Sequence, residues 1–193
     1  MINFIEKELS KLATLIADIQ ADKALLNQVV ESAETIVETL RNDGKVLIAG
    51  NGGSAADAQH IAGEFVSRFH YDRPGLASIA LTTDTSILTA IGNDYGYERL
   101  FSRQVQALGR KGDVFIGIST SGNSANVIEA FKEAQKQNLK TIGFTGSTGG
   151  KMADLCDITL RMPSKETPKI QEGHIAIGHI ICGLVEAAMF PRD

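Results

Sequence analysis

Residues 46–54 read Val46-Leu47-Ile48-Ala49-Gly50-Asn51-Gly52-Gly53-Ser54, an apolar run that leads into a glycine-rich loop and then into a helical pattern. A second run of the same kind covers residues 114–124, and its loop contains no lysine. A strand that turns through small residues into a helix leaves backbone N–H groups unpaired, and the helix dipole behind them attracts anions. The two loops therefore predict a site for a phosphorylated small molecule. The hydroxyl side chains of the second loop are Ser119, Thr120, Ser121 and Ser124.

Strand-like and helical patterns alternate along the rest of the chain, which is typical of βαβ units on a parallel sheet with right-handed crossovers. We expect one α/β domain over residues 1–193, with a doubly wound parallel sheet flanked by helices. Ligands of such sheets bind outside the carboxyl ends of the strands, so both glycine-rich loops should share one rim. The predicted strands cover residues 45–49, 77–81, 113–118, 140–145 and 157–161. The predicted helices cover residues 3–42 (as a pair), 55–69, 85–91, 97–108, 125–136 and 170–189.

The composition narrows the class of protein. The chain has 193 residues, 43% of them hydrophobic, and a formal net charge of −4, which fits one domain and argues against a nucleic-acid-binding face. No apolar run approaches the roughly 20 residues of a membrane span, and residues 1–7 lack the layout of a signal peptide. Cys156 and Cys182 lack metal-ligand spacing and predict buried free thiols in a reducing cytoplasm.

The long helices predicted at the two ends of the chain exceed what is needed to cover the sheet. We therefore expect the N-terminal pair, residues 1–43, and the last helix to bury surface against other copies in a homo-oligomer. The side chains expected at that interface on the last helix are Leu184, Val185, Ala187 and Met189.

His60 and Glu64 lie four residues apart on the helix that the first loop opens. Positions i and i+4 share a helix face at a separation of roughly 6 Å, which suits two ligands of one metal ion or an acid/base pair. The same spacing is also common on solvated helix faces, and the residues alone leave both interpretations open. The position of the pair, shortly after the first glycine-rich loop, adds weight to the functional interpretation.

Further polar residues lie outside this pair. The last helix contains Gln171, His174 and His179. Imidazole is a common zinc ligand, whereas an amide oxygen is a weaker one. His174 has no acidic partner at helix spacing behind it, so we interpret it as a packing or surface residue. His70 is interpreted as a loop residue, and Asn93-Asp94 as a turn, with a hydroxyl-binding role as the alternative.

Residues 50–55 also satisfy the loose dinucleotide-binding pattern G-x-G-x-x-G/A. That pattern also requires an acidic residue about 20 positions later, at the end of the second strand, and no residue here fits that position well. Asp72 falls in a polar loop, and Asp84 comes more than 30 residues after Gly50. Nicotinamide chemistry is therefore the disfavoured alternative.

The order of these motifs resembles one family, the bacterial phosphoheptose isomerases of the sugar isomerase (SIS) domain superfamily. The resemblance covers essentially the whole chain. A serine-rich phosphate loop alone would indicate only the superfamily, whereas the full set in this order is specific. The stretches that carry the resemblance are Gly50–Ser54, His60 with Glu64, Gly92–Asp94, Gly117–Ser124 and Ile170–Glu172.

The resemblance implies an SIS-type fold and an aldose–ketose isomerase. The implied reaction converts sedoheptulose 7-phosphate to D-glycero-D-manno-heptose 7-phosphate through an enediol, which opens heptose synthesis for the lipopolysaccharide core. The resemblance also implies a Gram-negative cytoplasm, a homotetramer with sites between subunits, and one zinc ion per subunit.

Residue roles follow by matching positions of the family motifs, and Glu64 and His179 are the implied proton carriers.

The separation of Gln171 and His179 limits how both can ligate one metal ion, because eight residues of helix rise about 12 Å. A single metal ion must therefore lie between the side chains of Gln171 and His179, unless Gln171 precedes the helix or the two come from different subunits. The implied metal ligands are His60, Glu64, Gln171 and His179. The implied contacts to the open-chain sugar are Asn51, Gly52, Gly53, Glu64, Asn93, Asp94 and Gln171, and those to its phosphate are Ser119, Thr120, Ser121 and Ser124.

A function of a different class exists in the same superfamily. Close relatives act as non-catalytic adaptors that bind the bacterial replication initiator protein, and this chain shares with them residues 81–84 and 89–91. The resemblance implies that adaptors lack the acid at the position of Glu64 and the imidazole at that of His179. Both are present here, which favours the isomerase; if these groups are buried, keeping them without a chemical task would also cost stability.

Overall fold

The fold of the chain is described by a computed structural model that covers residues 1–192. Over this range, seven α-helices surround a five-stranded parallel sheet, and short 3₁₀ turns occur at Tyr97–Arg99 and Gly150–Asp154. The strands are β1 (Val46–Gly50), β2 (Ser78–Ala80), β3 (Val114–Ile118), β4 (Lys140–Thr145) and β5 (Ile158–Arg161). The helices are α1 (Ile2–Ala21), α2 (Lys23–Arg41), α3 (Gly53–Val66), α4 (Thr85–Tyr95), α5 (Ser102–Leu108), α6 (Ala125–Lys136) and α7 (Thr167–Met189).

The strand order places both glycine-rich loops at one point of the sheet. The order is β2-β1-β3-β4-β5, so the winding reverses between β1 and β3. Gly50 and Ile118, the last residues of these two strands, are partners in the ladder. Each loop therefore leaves the carboxyl end of its strand beside the other, at the switch point where ligands of such sheets bind. The predicted doubly wound sheet and the shared rim are confirmed.

Both faces of the sheet are covered, which explains why its strands are continuous apolar runs. Successive side chains point to opposite faces, and the neighbours Leu47 and Ile48 accordingly belong to different buried clusters. Ile48 packs with α1, α2, α3 and α7, whereas Leu47 packs with α5 and α6. The N-terminal helices thus share one core with the sheet, through Leu15 of α1 and Ile36 of α2.

Some details differ from the sequence prediction. Helix α4 continues to Tyr95 and ends at Gly96, whose φ is +87°, so the turn expected at Asn93-Asp94 is wrong. A glycine adopts positive φ without strain and therefore stops the helix there. On α7, Val185 is fully buried in the core of its own chain and is not available to another copy, whereas Leu184 is 41% exposed.

The two cysteines are free. Cys182 is buried as expected, but Cys156 is only partly buried. Desolvation raises the pKa of both thiols to about 12, so neither is a thiolate near neutral pH. Among residues 1–192, no helix has the length and apolar character that a membrane span needs.

His174 is a packing residue, as the sequence indicates. It is fully buried on α7 against Phe144, and its Nε2 lies 3.1 Å from the Thr145 carbonyl oxygen. Desolvation lowers its pKa to about 4 despite that hydrogen bond. Because the folded state holds this imidazole neutral, His174 contributes stability that is complete above its unfolded pKa of about 6.5 and is lost as pH falls toward 4.

We expect the free energy of unfolding to fall by up to about 3 kcal/mol between pH 6.5 and pH 4 through this one group. Denaturant unfolding at both pH values, in a chelator so that metal release does not contribute, measures the change. His174→Gln should flatten that part of the profile. Parallel profiles for the native chain and the variant would contradict the assignment.

Candidate active site

The first glycine-rich loop turns β1 into α3 at the rim. Gly52 is the N-cap of α3 and has a φ of +57°, a conformation that side chains rarely adopt. The amino terminus of α3 therefore lies directly after the carboxyl end of β1. This turn sets the direction of α3, on which His60 and Glu64 lie.

Three of the predicted functional side chains meet where α3 and α7 pack together. His60 Nε2 lies 2.9 Å from His179 Nε2 on α7 and 3.2 Å from Glu64 Oε1. Ligand atoms of the three residues all lie within 4.8 Å of one another. The side chains of His60 and Glu64 remain 49% and 25% exposed, so a small molecule can reach them. His60 and His179 are 119 positions apart in the sequence, and the fold brings them together.

The donor set fits a zinc ion. Two imidazole nitrogens and one carboxylate oxygen are its ordinary ligands. The two ring nitrogens lie 2.9 Å apart, a separation at which one imidazole can donate an N–H to the other or both can ligate one cation. The three residues thus have the chemistry and the proximity that a metal site requires.

The crossing of α3 and α7 produces this proximity. A Cβ at Gly178 would lie 2.8 Å from Ile61 Cδ1, so the absence of a side chain at Gly178 permits the close approach. These two residues directly adjoin His179 and His60 in the sequence. The Phe69 ring lies 5.6 Å from the His179 ring and packs against it from the loop that follows α3.

Gly178→Ala should force the Ile61 side chain to shift at the contact between the two helices and thereby disturb the cluster. We expect at least a tenfold weaker zinc affinity, because precise ligand orientation is worth about that much. Gly63→Ala is the matched control, since a Cβ there meets no atom within 4 Å in the part of the chain that the structure describes. Competition with a chromogenic zinc chelator measures both variants. Equal affinities would contradict this role of Gly178.

Gln171 belongs to the first helical turns of α7, so it does not precede the helix. Its side chain contacts Gly53 at the start of α3, where a Cβ would overlap with Gln171 Nε2. This places an amide at the mouth of the first loop. Whether it also ligates a metal with His60, Glu64 and His179 stays a prediction.

Asn51 joins the two loops through residues that the sequence did not single out. Its side-chain amide exchanges two hydrogen bonds of 2.8 Å with Asn126 of α6, and the Tyr97 hydroxyl donates to its Oδ1 at 3.1 Å. Asn126 directly follows the second loop, and that position is the only sequence signal for it. Asn93 and Asp94 are exposed on α4 and bond to each other at 2.7 Å; their contact with a sugar stays a prediction.

The second loop forms a hydroxyl cluster at the start of α6. Ser119 Oγ lies 2.8 Å from Ser124 Oγ and 3.5 Å from Ser121 Oγ. Ser124 is the N-cap of α6, yet its hydroxyl does not cap the helix. The first N–H groups of α6 are therefore available to an anion. Gly122, with a φ of +66°, packs so tightly that a Cβ would overlap with the Gly149 carbonyl.

A cavity of about 320 Å³ opens beside this cluster. The loop between β5 and α7 closes one side of it and supplies Lys165, the cation that the second loop itself lacks. The sequence did not single out Ser147 or Thr148, because nothing in the sequence showed that their loop borders the site. The cavity is lined by Thr120, Ser121, Asn123, Gly146, Ser147, Thr148, Ser164, Lys165 and Ile170.

Known proteins are similar to this chain in both sequence and fold. Residues 8–146 match the SIS domain family. Phosphoheptose isomerases from Burkholderia pseudomallei (strain 1710b) and Aneurinibacillus thermoaerophilus are each 60% identical to the chain; the first match spans 100% of this chain and 98% of the relative, the second 98% and 96%.

Solved structures agree. A phosphoheptose isomerase from Neisseria gonorrhoeae has a TM-score of 0.87 and 49% identity, over 95% of this chain and 99% of that one. A phosphoheptose isomerase from Francisella tularensis has a TM-score of 0.90 and 37% identity, over 95% and 97%. The chain therefore belongs to the SIS domain family and, within it, to the phosphoheptose isomerases.

Proposed function

We propose that this protein is an aldose–ketose isomerase that interconverts sedoheptulose 7-phosphate and D-glycero-D-manno-heptose 7-phosphate. This is the first step of heptose synthesis for the lipopolysaccharide core. The observation that carries the proposal is the convergence of His60, Glu64 and His179 from α3 and α7, in a chain 60% identical to phosphoheptose isomerases.

Glu64 and His179 move the protons. A base removes a proton from C1 of the ketose, a C1–C2 double bond forms, and O2 takes a proton to give the enediol. Return of a proton to C2 and loss of the O1 proton give the aldose. A carboxylate and an imidazole both suit general acid–base catalysis near neutral pH, and their side chains approach the same point from α3 and α7.

A zinc ion is part of the proposal. His60, Glu64 and His179 would hold it, with Gln171 as the fourth ligand, and bound Zn²⁺ supplies Lewis-acid polarisation of a carbonyl. A carboxylate that ligates a metal is a weaker base. Since Oε1 of Glu64 is the oxygen that faces His60, we assign proton transfer to Oε2.

The loops hold the rest of the substrate. Ser119, Thr120, Ser121 and Ser124 would bind the phosphate with the first N–H groups of α6. Asn51, Gly52, Gly53, Asn93, Asp94 and Gln171 would bind the hydroxyls of the open chain. Binding energy from the remote phosphate then orients C1 and C2 at the proton carriers.

The protein is proposed to act in the cytoplasm as a homotetramer. Helix α1 exposes apolar side chains at Ile2, Phe4, Ile5, Leu9 and Ile16, and exposed apolar surface of this extent is typical of interfaces. A groove of about 610 Å³ between α2 and α7, outside the site described above, also has mainly apolar walls that include Val30 and Leu184. Light scattering of the native chain and of Leu9→Asp measures the oligomer, and the variant should form smaller species.

The adaptor alternative has no observation in its favour. The chain has both Glu64 and His179, and the fold assembles them with His60. An adaptor has no use for three converging ionisable side chains that remain open to solvent.

The proposal is tested by assaying the zinc-loaded chain with sedoheptulose 7-phosphate and, in parallel, with unphosphorylated sedoheptulose. We expect turnover of the phosphate ester and a kcat/KM at least about tenfold lower for the free sugar, because hydrogen bonds to charged groups are worth about 1.5–3 kcal/mol each. Equal rates would remove the phosphate site, and no turnover of either would overturn the isomerase.

A further inference from the structure

A buried ion pair joins α7 to the connection that follows α3, next to the site. The side chains of Arg73, in the connection from α3 to β2, and Glu186, on α7, are 2% and 1% exposed, and Nε lies 3.1 Å from Oε1. A buried ion pair is in itself weak evidence for stability, because desolvation offsets its attraction. The contacts that this pair makes have a more specific consequence.

Arg73 closes the end of α3. Its guanidinium donates to the carbonyl oxygens of Glu64 at 2.7 Å and Phe65 at 2.6 Å, and to that of Ser67 at 3.2 Å. The last carbonyls of a helix lack partners within the helix, and a planar guanidinium can satisfy several of them at once. Arg73 thereby holds the turn that carries Glu64.

Glu186 binds the loop that follows α3. Its carboxylate accepts from Phe69 N–H at 2.8 Å and His70 N–H at 2.7 Å, and Phe69 is the ring packed against His179. Glu186 follows His179 by seven residues, two helical turns along one face of α7. Burial would raise the pKa of Glu186, but the bonds from His70, Phe69 and Arg73 outweigh it and lower that pKa, so the carboxylate stays charged.

We propose that Arg73 and Glu186 are positioning residues for the reaction centre: their buried pair fixes the end of α3, and with it Glu64, relative to His179 on α7. The inference rests on the proposed function for its catalytic consequence. Its structural consequence, the spacing of the zinc-binding side chains, can be measured without turnover. When a residue that orients a metal ligand without touching the metal is mutated, the metal affinity typically falls 10–100-fold.

The test compares Glu186→Gln with Asp113→Asn. Asp113 is a matched control because it too is a buried carboxylate, 2% exposed, that accepts two backbone bonds and pairs with a cation. Those bonds come from Lys45 N–H and Arg110 N–H, and Lys45 Nζ lies 2.6 Å away. Asp113 directly precedes β3, and neither of its carboxylate partners, Lys45 and Arg110, belongs to α3 or α7.

The measurements are thermal midpoint, Zn²⁺ affinity of the metal-free full-length chain by chelator competition, and kcat and KM with sedoheptulose 7-phosphate at saturating zinc. We expect both variants to lose a similar amount of thermal stability. Glu186→Gln alone should bind zinc about tenfold or more weakly and lose a comparable factor in kcat, with KM within about twofold. Asp113→Asn should keep zinc affinity and kcat within about twofold.

Zinc affinity that is the same in the two variants would overturn the proposal, even with a large loss of stability. If the native chain does not turn over the substrate, the proposed function fails while the zinc comparison still decides the positioning role. Should Glu186→Gln fail to fold, Arg73→Lys takes its place, because an ammonium keeps the charge but cannot form the same fork to the carbonyls. Unchanged zinc affinity in Arg73→Lys would also overturn the proposal.

Discussion

Glu64→Gln and His179→Gln should each lower kcat by at least about two orders of magnitude, the usual contribution of a general acid or base. Glutamine keeps the size of the glutamate side chain and an oxygen that can face His60, but it cannot accept a proton from C1. At position 179 it removes the imidazole that lies 2.9 Å from His60 Nε2. Steady-state kinetics with sedoheptulose 7-phosphate at saturating zinc measure the loss.

The control for these variants is His70→Gln. His70 also packs against Phe69, at 4.2 Å between ring centroids, but it is not one of the three clustered residues. Its variant should remain close to the native rate. Metal content is determined for all three variants, so that loss of zinc is not mistaken for loss of a proton carrier. Native-like kcat in both Glu64→Gln and His179→Gln would remove their assignment.

Gly122→Ala should raise KM for the sugar phosphate by at least about tenfold, because it displaces the hydroxyl cluster that we propose binds the phosphate. Gly122 has a φ of +66°, and a methyl group there meets the backbone of Gly149 and Gly150, which cannot yield as a flexible side chain can. The loop must therefore move away from its place beside Ser119. A kinetic comparison with the native chain, and with inorganic phosphate as a competing ligand, measures the effect.

Gly112→Ala is the control for backbone strain. Gly112 has a φ of +91°, but a Cβ there finds no atom within 4 Å among residues 1–192, and it precedes the amino end of β3. Both variants pay the cost of positive φ in stability, and only Gly122→Ala should change KM. A KM equal to that of the native chain in Gly122→Ala would separate this loop from the phosphate.

The sheet and its rim could be predicted from local sequence because both depend on local patterns. Continuous apolar runs predict buried parallel strands, and glycine with serine after each run predicts the turn into a helix. The pairing of Gly50 with Ile118 then follows from the strand order. The spacing of His60 and Glu64 is equally local, since one helix carries both.

Contacts between distant elements could not be predicted in this way. No periodicity links Arg73 to Glu186, which lie 113 residues apart, or Asn51 to Asn126. Val185 was misassigned to an interface because an apolar residue on a helix faces either its own core or another copy, and the pattern is the same. Helix α4 was predicted too short because Asn93 and Asp94 favour turns, whereas Gly96 ends the helix.

The central claim is that a proton moves between C1 and C2 of a bound sugar phosphate at His60, Glu64 and His179. Nuclear magnetic resonance of sedoheptulose 7-phosphate with the zinc-loaded native chain in D₂O tests it most directly. The account predicts an aldose 7-phosphate that carries deuterium at C2, and no such signal with Glu64→Gln. Absence of the aldose with the native chain, or a deuterated product formed equally fast by Glu64→Gln, would contradict it.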